Sequence, residues 1–201
     1  MQHSLFHFEN QNLLPFQGET FLQPDFFPKV KSDHYFHRLQ HTLAWKQEPI
    51  RMFGKMVMQP RLTALYGNPD RPYGYSGISM LPLLWTEELH EMKCAIEAYS
   101  GMEFTHVLCN LYRDGKDSMG WHRDNESVLG KNPSIASVTL GATRLFQIRH
   151  HETKRHKIDI PLTHGSLLMM TGESQQYWEH QIPKTTRDLG VRINLTFRRL
   201  I

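Results

Sequence analysis

The chain has 201 residues, enough for one sizeable hydrophobic core, so one domain with an N-terminal elaboration is expected. Hydrophobic residues make up 39% and charged residues 21%, which excludes a disordered or collagen-like chain. The formal net charge of +3 does not by itself point to nucleic acid, although Arg51, Lys55, Arg61 and Arg71 cluster in one segment and Lys154, Arg155 and Lys157 in another.

Residues 1 to 30 show no clear period and carry Pro15, Pro24 and Pro28, so an extended arm laid over the core is expected. The start, MQHSLFHFENQ, lacks a basic stretch followed by an apolar one, and no secretory signal is read there. A helix is predicted from Ser32, capped by Ser32 or Asp33, with Phe36, Leu39 and Leu43 on one stripe toward Trp45 and Pro49 closing it. The segment from Arg51 to Gly77 is rich in aromatics, glycine, proline and arginine, which predicts short strands joined by turns at Asn68-Pro69-Asp70 and Gly74. A second helix fits Trp85 to Ser100: Thr86 caps it, Leu89, Met92, Ile96 and Tyr99 form its apolar stripe, and Gly101 stops it.

Beyond Gly101 the period changes. Phe104–Tyr112, Ser134–Leu140, Arg144–His150, Lys157–Pro161, Ser166–Met170 and Val191–Leu200 read as short strands between turn residues. Helices first and strands afterwards predict a mainly β fold, a jelly-roll core with helices packed on its outside. Cys94, on the second helix, and Cys109, on a strand, give no disulfide framework, and a reducing cytoplasm is the expected compartment. No apolar run approaches the roughly 20 residues needed to span a bilayer.

Chemistry concentrates in Asn110 to Glu126, NLYRDGKDSMGWHRDNE. Asn110 and Tyr112 are two residues apart and project from one strand face; His122 and Asp124 are also two apart and are expected to share a face. An imidazole and a carboxylate so placed can hold a metal at adjacent coordination positions, and His180 is the candidate third ligand. Two histidines and one carboxylate suit a non-haem iron(II) centre, because they leave positions open for a chelating cosubstrate and for oxygen. An isolated H-x-D would be weak in a chain with 13 histidines; its conjunction with VRINLTFR decides the reading. There Arg192, Asn194, Thr196 and Arg198 alternate with Val191, Ile193, Leu195 and Phe197, so one face is apolar and the other carries two guanidiniums. Buried arginines need anionic partners, and planar bidentate recognition of a carboxylate is what arginine does best. A dicarboxylate such as 2-oxoglutarate fits that face.

On these residues the sequence resembles the AlkB family of iron(II)- and 2-oxoglutarate-dependent nucleic-acid dealkylases. The matching pieces are N-L-Y at 110–112, W-H-R-D-N-E at 121–126, S-V-T-L-G-A at 137–142, H-G-S-L-L-M-M at 164–170, W-E-H at 178–180 and R-I-N-L-T-F-R at 192–198. Upstream, M-F-G-K at 52–55, P-R at 60–61, Y-G at 66–67 and Y-G-Y-S-G at 73–77 are similar to the branch that repairs double-stranded DNA.

The resemblance implies a double-stranded β-helix core over 81–201, preceded by an arm and helix over 1–48 and a nucleotide-recognition lid over 49–80. It implies iron(II) on His122, Asp124 and His180, with 2-oxoglutarate and molecular oxygen as cosubstrates. The far carboxylate of 2-oxoglutarate would be bound by Arg192, with Tyr112 and Asn194 as hydrogen-bond donors and Asn110, Thr196 and Arg198 completing the pocket. Phe53 would be the wedge that enters the base stack, with Gly54 and Lys55 beside it, while Tyr73 and Tyr75 line the base pocket and Arg61 joins the substrate-binding set. A flipped base needs flat groups to stack on, and an apolar wedge offsets lost duplex stacking, which agrees with this placement. The implied activity is oxidative demethylation of alkylated DNA bases of the 1-methyladenine and 3-methylcytosine type, releasing formaldehyde and succinate. The expected protein is a monomer free of membranes, associated with the nucleoid if its source is bacterial.

One position departs from the family pattern. After H-R-D an acid commonly reads the exocyclic amine of the damaged base, and here Asn125 stands there. Its amide oxygen can accept the same hydrogen bond without the negative charge that favours a cationic base. Two alternatives stay open: the same chemistry on RNA, and a 2-oxoglutarate oxygenase with a non-nucleic substrate.

Overall fold

Residues 192–198 alternate polar and apolar strictly, and they become a central strand of the six-stranded sheet. The computed structural model describes residues 11–52, 55–69, 73–75 and 78–201. In chain order, the first half contains β1 (Glu19–Gln23), α1 (Lys29–Thr42), β2 (Pro49–Met52), β3 (Lys55–Met58), β4 (Leu62–Gly67), β5 (Tyr73–Tyr75), β6 (Ile78–Met80) and α2 (Glu87–Ser100). There follow β7 (His106–Tyr112), β8 (Met119–His122), β9 (Ile135–Gly141), β10 (Arg144–His150) and β11 (Ile158–Leu162). The chain closes with β12 (Leu167–Thr171), the single turn α3 (Ser174–Tyr177), β13 (Trp178–Ile182) and β14 (Arg192–Arg198).

The major sheet runs β1-β12-β9-β14-β7-β4, and the minor sheet runs β11-β10-β13-β8. This is the mainly β, helix-flanked jelly roll that the sequence predicts. Its major sheet takes an edge strand from each upstream segment: β1 from the expected arm and β4 from within residues 49–80. The hairpins β2–β3 and β5–β6 stand apart as two-stranded sheets.

The period of two sorts the side chains into two cores. Val107, Cys109, Ile193, Leu195 and Phe197 face outward from the major sheet and pack under Leu39 of α1 and Leu89, Met92 and Ile96 of α2. Leu108, Tyr112, Phe146, Ile148, Met170 and Trp178 meet between the sheets. Each fully buried aliphatic side chain of this kind contributes about 1.5–3 kcal/mol of transfer free energy.

The second helix forms as its sequence predicts. Thr86 accepts from the Leu89 N–H, and Gly101 ends the helix in the left-handed region at φ 67°, where a side chain would be strained.

The first helix corrects the prediction at both ends. It starts at Lys29, after Pro28, whose fixed φ suits a helix entrance. Ser32 does not cap it: its hydroxyl donates inward to the Phe27 carbonyl at 2.8 Å. Asp33 pairs with Lys29 and His164 instead. The helix also closes at Thr42, well before Pro49, which opens β2.

Among the described residues, no helix is long and apolar enough to cross a membrane.

Candidate active site

Antiparallel pairing of β13 with β8 places His180 directly opposite His122. The two rings stand 4.3 Å apart, centroid to centroid, in an edge-to-face arrangement. Asp124 joins them by a route that strand alternation did not predict, because β8 ends at His122 and Asp124 lies beyond it. The Asp124 N–H donates to the Gln175 side-chain oxygen at 2.9 Å, and Arg198 donates to its carboxylate at 2.9 Å. These two contacts turn the carboxylate toward the imidazoles. One ligand atom from each of His122, Asp124 and His180 lies within 4.8 Å of the others. Among the described residues this is the one such group of three or more His, Cys, Asp or Glu side chains.

Protonation in this cluster suits a cation. His122 Nδ1 lies 2.8 Å from the Gly120 carbonyl, which can only accept, so the proton sits on Nδ1 and Nε2 keeps its lone pair. Burial holds His122 below its ordinary value despite the nearby Asp124 charge. Burial, with His122 adding to it, pushes His180 down to about 3, so this imidazole is neutral near pH 7. Burial acts to raise the Asp124 carboxyl, but Arg198, His180 and His122 outweigh it and keep the group below its usual value and ionised. His180 Nδ1 is buried without a hydrogen-bond partner. Two neutral imidazoles and one ionised carboxylate are a donor set that fits iron(II).

The polar face of β14 lines the same cavity, together with Asn110 and Tyr112 from β7 and Ser137 from β9. β14 is flanked by β7 and β9, and all seven of its residues are buried, so its guanidiniums are not a solvated edge. Arg192 is 1% exposed; one of its nitrogens donates to Thr139 at 2.9 Å, while Nε and Nη1 are buried without partners. Its Cζ lies 5.1 Å from the Tyr112 ring centroid. Burial lowers the Arg192 guanidinium to about 10, still charged at neutral pH. Buried, charged donors left open in a cavity fit an anionic ligand such as a carboxylate.

The remaining predicted residues divide. Arg198 lines the cavity and is paired there with the Asp124 carboxylate. The Asn194 amide nitrogen donates to Ser137 and Val138, and its oxygen accepts from Thr196, so a donor expected for the cosubstrate is engaged within the sheet. Arg61 is 3% exposed and donates to Asn110 at 2.8 Å, which places it behind a cavity residue. Lys55 opens β3 and is exposed, as is Asn125 just after Asp124. Tyr73 and Tyr75 fall on β5, while Phe53 and Gly54 lie outside the described residues. Sequence reasoning missed Gln175, whose contact with Asp124 spans 51 positions and leaves no local pattern. It also missed Thr139 on Arg192, although Ser137 and Thr139 alternate on one face of a strand that was predicted.

Residues 19–198 match the 2OG-Fe(II) oxygenase superfamily. The alpha-ketoglutarate-dependent dioxygenase alkB homolog 3 of Bos taurus is 42% identical over 186 residues, covering 88% of this chain and 64% of its own. The DNA oxidative demethylase ALKBH2 of Homo sapiens is 34% identical over 185 residues, covering 87% of this chain and 71% of its own. This chain therefore spans a little under two thirds of the first relative and somewhat more of the second. In fold it is similar to OsALKBH1, with a TM-score of 0.59 at 17% identity over 90% of this chain and 97% of that one. A prolyl hydroxylase from Trichoplax adhaerens gives a TM-score of 0.62 at 11% identity over 90% of this chain and 83% of that one. With these matches spanning both sheets and the His122, Asp124 and His180 cluster, the chain belongs to the AlkB family of the 2OG-Fe(II) oxygenase superfamily.

Proposed function

We propose that this protein is an iron(II)- and 2-oxoglutarate-dependent dioxygenase that removes N-alkyl groups, of the 1-methyladenine and 3-methylcytosine kind, from bases in DNA. The observation that carries the reading is one cavity holding both a His122, Asp124 and His180 donor set and an Arg192 guanidinium with two open donors. His122, Asp124 and His180 would hold iron(II), which with molecular oxygen and 2-oxoglutarate would supply the oxidation of the N-alkyl carbon, the cosubstrate leaving as succinate and carbon dioxide and a methyl carbon as formaldehyde, with the base restored.

The chain's own groups bind and orient. Arg192 takes the far carboxylate of 2-oxoglutarate through Nε and Nη1, beside Tyr112. Asn110, Asn194 and Thr196 shape the pocket wall, and Arg198 keeps the Asp124 carboxylate aimed at the metal. Residues 49–80, apart from β4, form a lid in which Phe53 is the wedge, Gly54 and Lys55 flank it, and Tyr73 and Tyr75 hold the flipped base. Asn125 accepts from the exocyclic amine, and Arg61 steadies this side of the site through Asn110. The protein acts as a monomer. The choice of substrate is supported by the DNA-directed activity that the name of the human ALKBH2 relative states.

The test is mass spectrometry of matched single- and double-stranded DNA and RNA oligonucleotides carrying 1-methyladenine, incubated with protein, iron(II), 2-oxoglutarate and ascorbate. Loss of one methyl group that needs both iron and 2-oxoglutarate is the expected result, with DNA turned over ahead of RNA. RNA ahead of DNA would reassign the polymer. Succinate without any demethylation would reassign the substrate class.

A further inference from the structure

Arg144 stands beside Tyr112, 3% exposed and not part of the cavity wall. Its guanidinium donates to three backbone carbonyls in two loops: Asp114 at 3.0 Å, Asp117 at 2.9 Å and Pro183 at 2.8 Å. The first two lie in the turn between β7 and β8, and the third follows β13. The same loops meet again at Gly115, whose carbonyl accepts from the Thr185 N–H at 2.9 Å. A Cβ at Gly115 would sit 2.7 Å from the Thr185 carbonyl oxygen and 2.8 Å from that of Arg187, so only glycine allows this approach.

The turn that Arg144 holds begins directly after Tyr112. Arg144 Cζ lies 5.6 Å from the Tyr112 ring centroid, and Arg192 Cζ lies 5.1 Å from the same centroid. Tyr112 and Arg192 are also register partners across β7 and β14. One ring thus contacts both the guanidinium that faces the cavity and the guanidinium that locks the loops.

We propose that Arg144 is a positioning residue for 2-oxoglutarate: by tying the 113–118 turn to the loop after Ile182 and contacting Tyr112, it fixes Tyr112 and Arg192 for the far carboxylate. It makes no contact with the cosubstrate itself. The assignment rests on the proposed function, since it presumes that Arg192 binds 2-oxoglutarate. Its physical basis is that a planar fork with several donors can hold divergent carbonyls at once, which an ammonium cannot.

The experiment is calorimetric titration of 2-oxoglutarate into the full chain loaded with Mn(II), with Mn(II) affinity measured separately. Arg144→Met should weaken 2-oxoglutarate binding about tenfold, at the low end of what outer-shell partners contribute. Mn(II) affinity should not change. Arg144→Lys should fail to restore the loss. Gly115→Ala, which keeps the charge but pushes the loops apart, should weaken binding in the same direction, and it carries the test if Arg144→Met does not fold. Arg113→Met is the control: it removes a half-exposed guanidinium bonded to Asp117 in the same turn and should leave 2-oxoglutarate affinity at the wild-type value. Equal affinities in wild type and the Arg144 and Gly115 variants, or parallel losses of Mn(II) and 2-oxoglutarate, would overturn the assignment alone. A wild type that binds no 2-oxoglutarate would overturn the proposed function, and this assignment with it.

Discussion

Arg198 donates to the Asp124 carboxylate across 2.9 Å, with both side chains almost wholly buried. A buried ion pair is a poor source of net stability, because desolvation offsets much of its attraction. Its consequence here is geometric: with Gln175 accepting from the Asp124 N–H, it sets the direction of the carboxylate before a metal arrives. Arg198→Met should therefore weaken Mn(II) binding about 10- to 100-fold, the usual range for an outer-shell partner. Wild-type affinity in that variant would contradict this role for Arg198.

Arg192 presents the opposite balance. Two of its nitrogens are buried without partners, which disfavours the empty protein, yet those are the donors a carboxylate would use. Arg192→Met should raise the 2-oxoglutarate KM about 100-fold, the equivalent of two charge-assisted hydrogen bonds of about 1.5 kcal/mol each. The same substitution should leave the thermal midpoint of the ligand-free protein unchanged or higher. A large loss of stability, or a KM near wild type, would place the carboxylate clamp elsewhere.

How much of this was legible in the sequence depended on how local each signal was. The α2 helix was readable from end to end because Thr86 and Gly101 mark its limits within the segment itself. The two faces of β14 were readable because a period of two survives burial on both sides. The start of α1 was misread because Ser32 has the side chain of a cap but lies within the helix and donates back to the Phe27 carbonyl ahead of it. Strand β13 was not predicted, although its W-E-H was recognised, because five residues behind a single helical turn carry too short a pattern. The partner of Arg198 was out of reach for another reason: alternation gives a face, and 74 positions separate it from the carboxylate it binds.

Glu179 gives a stability prediction with a definite sign. Burial acts to raise its carboxyl, but His151, Lys154 and Arg149 outweigh it and bring the value from 4.5 down to about 2. A carboxyl depressed on folding contributes stability that is complete above its unfolded value and lost as pH falls through the folded one. The window is therefore from about 4.5 down to about 2. Its cationic partners are partly exposed, so the contribution near neutrality is about 1–2 kcal/mol after screening. Urea unfolding of wild type and Glu179→Gln should show that gap above about pH 5 and a shrinking gap as pH falls to about 3. A gap independent of pH would locate the effect of the substitution outside this ion cluster.

Phe53→Ala should impair duplex substrates more than single strands, since only a duplex must be opened to release the base. Turnover of matched single- and double-stranded oligonucleotides reads this directly. Equal losses on both would remove the wedge from the account.

Asn125→Asp should sharpen the preference for a cationic base such as 1-methyladenine over a neutral lesion, because it adds the charge that an amide lacks. The readout is the ratio of kcat/KM for the two lesions. An unchanged ratio would mean that residue 125 does not meet the base.

The measurement that bears most directly on the central claim is a crystal structure of the protein grown with Mn(II) and 2-oxoglutarate. The account predicts one ion bound by His122, Asp124 and His180, and a cosubstrate whose far carboxylate accepts from Arg192 Nε and Nη1. An ion held by other side chains, or a carboxylate that leaves those two donors open, would contradict it.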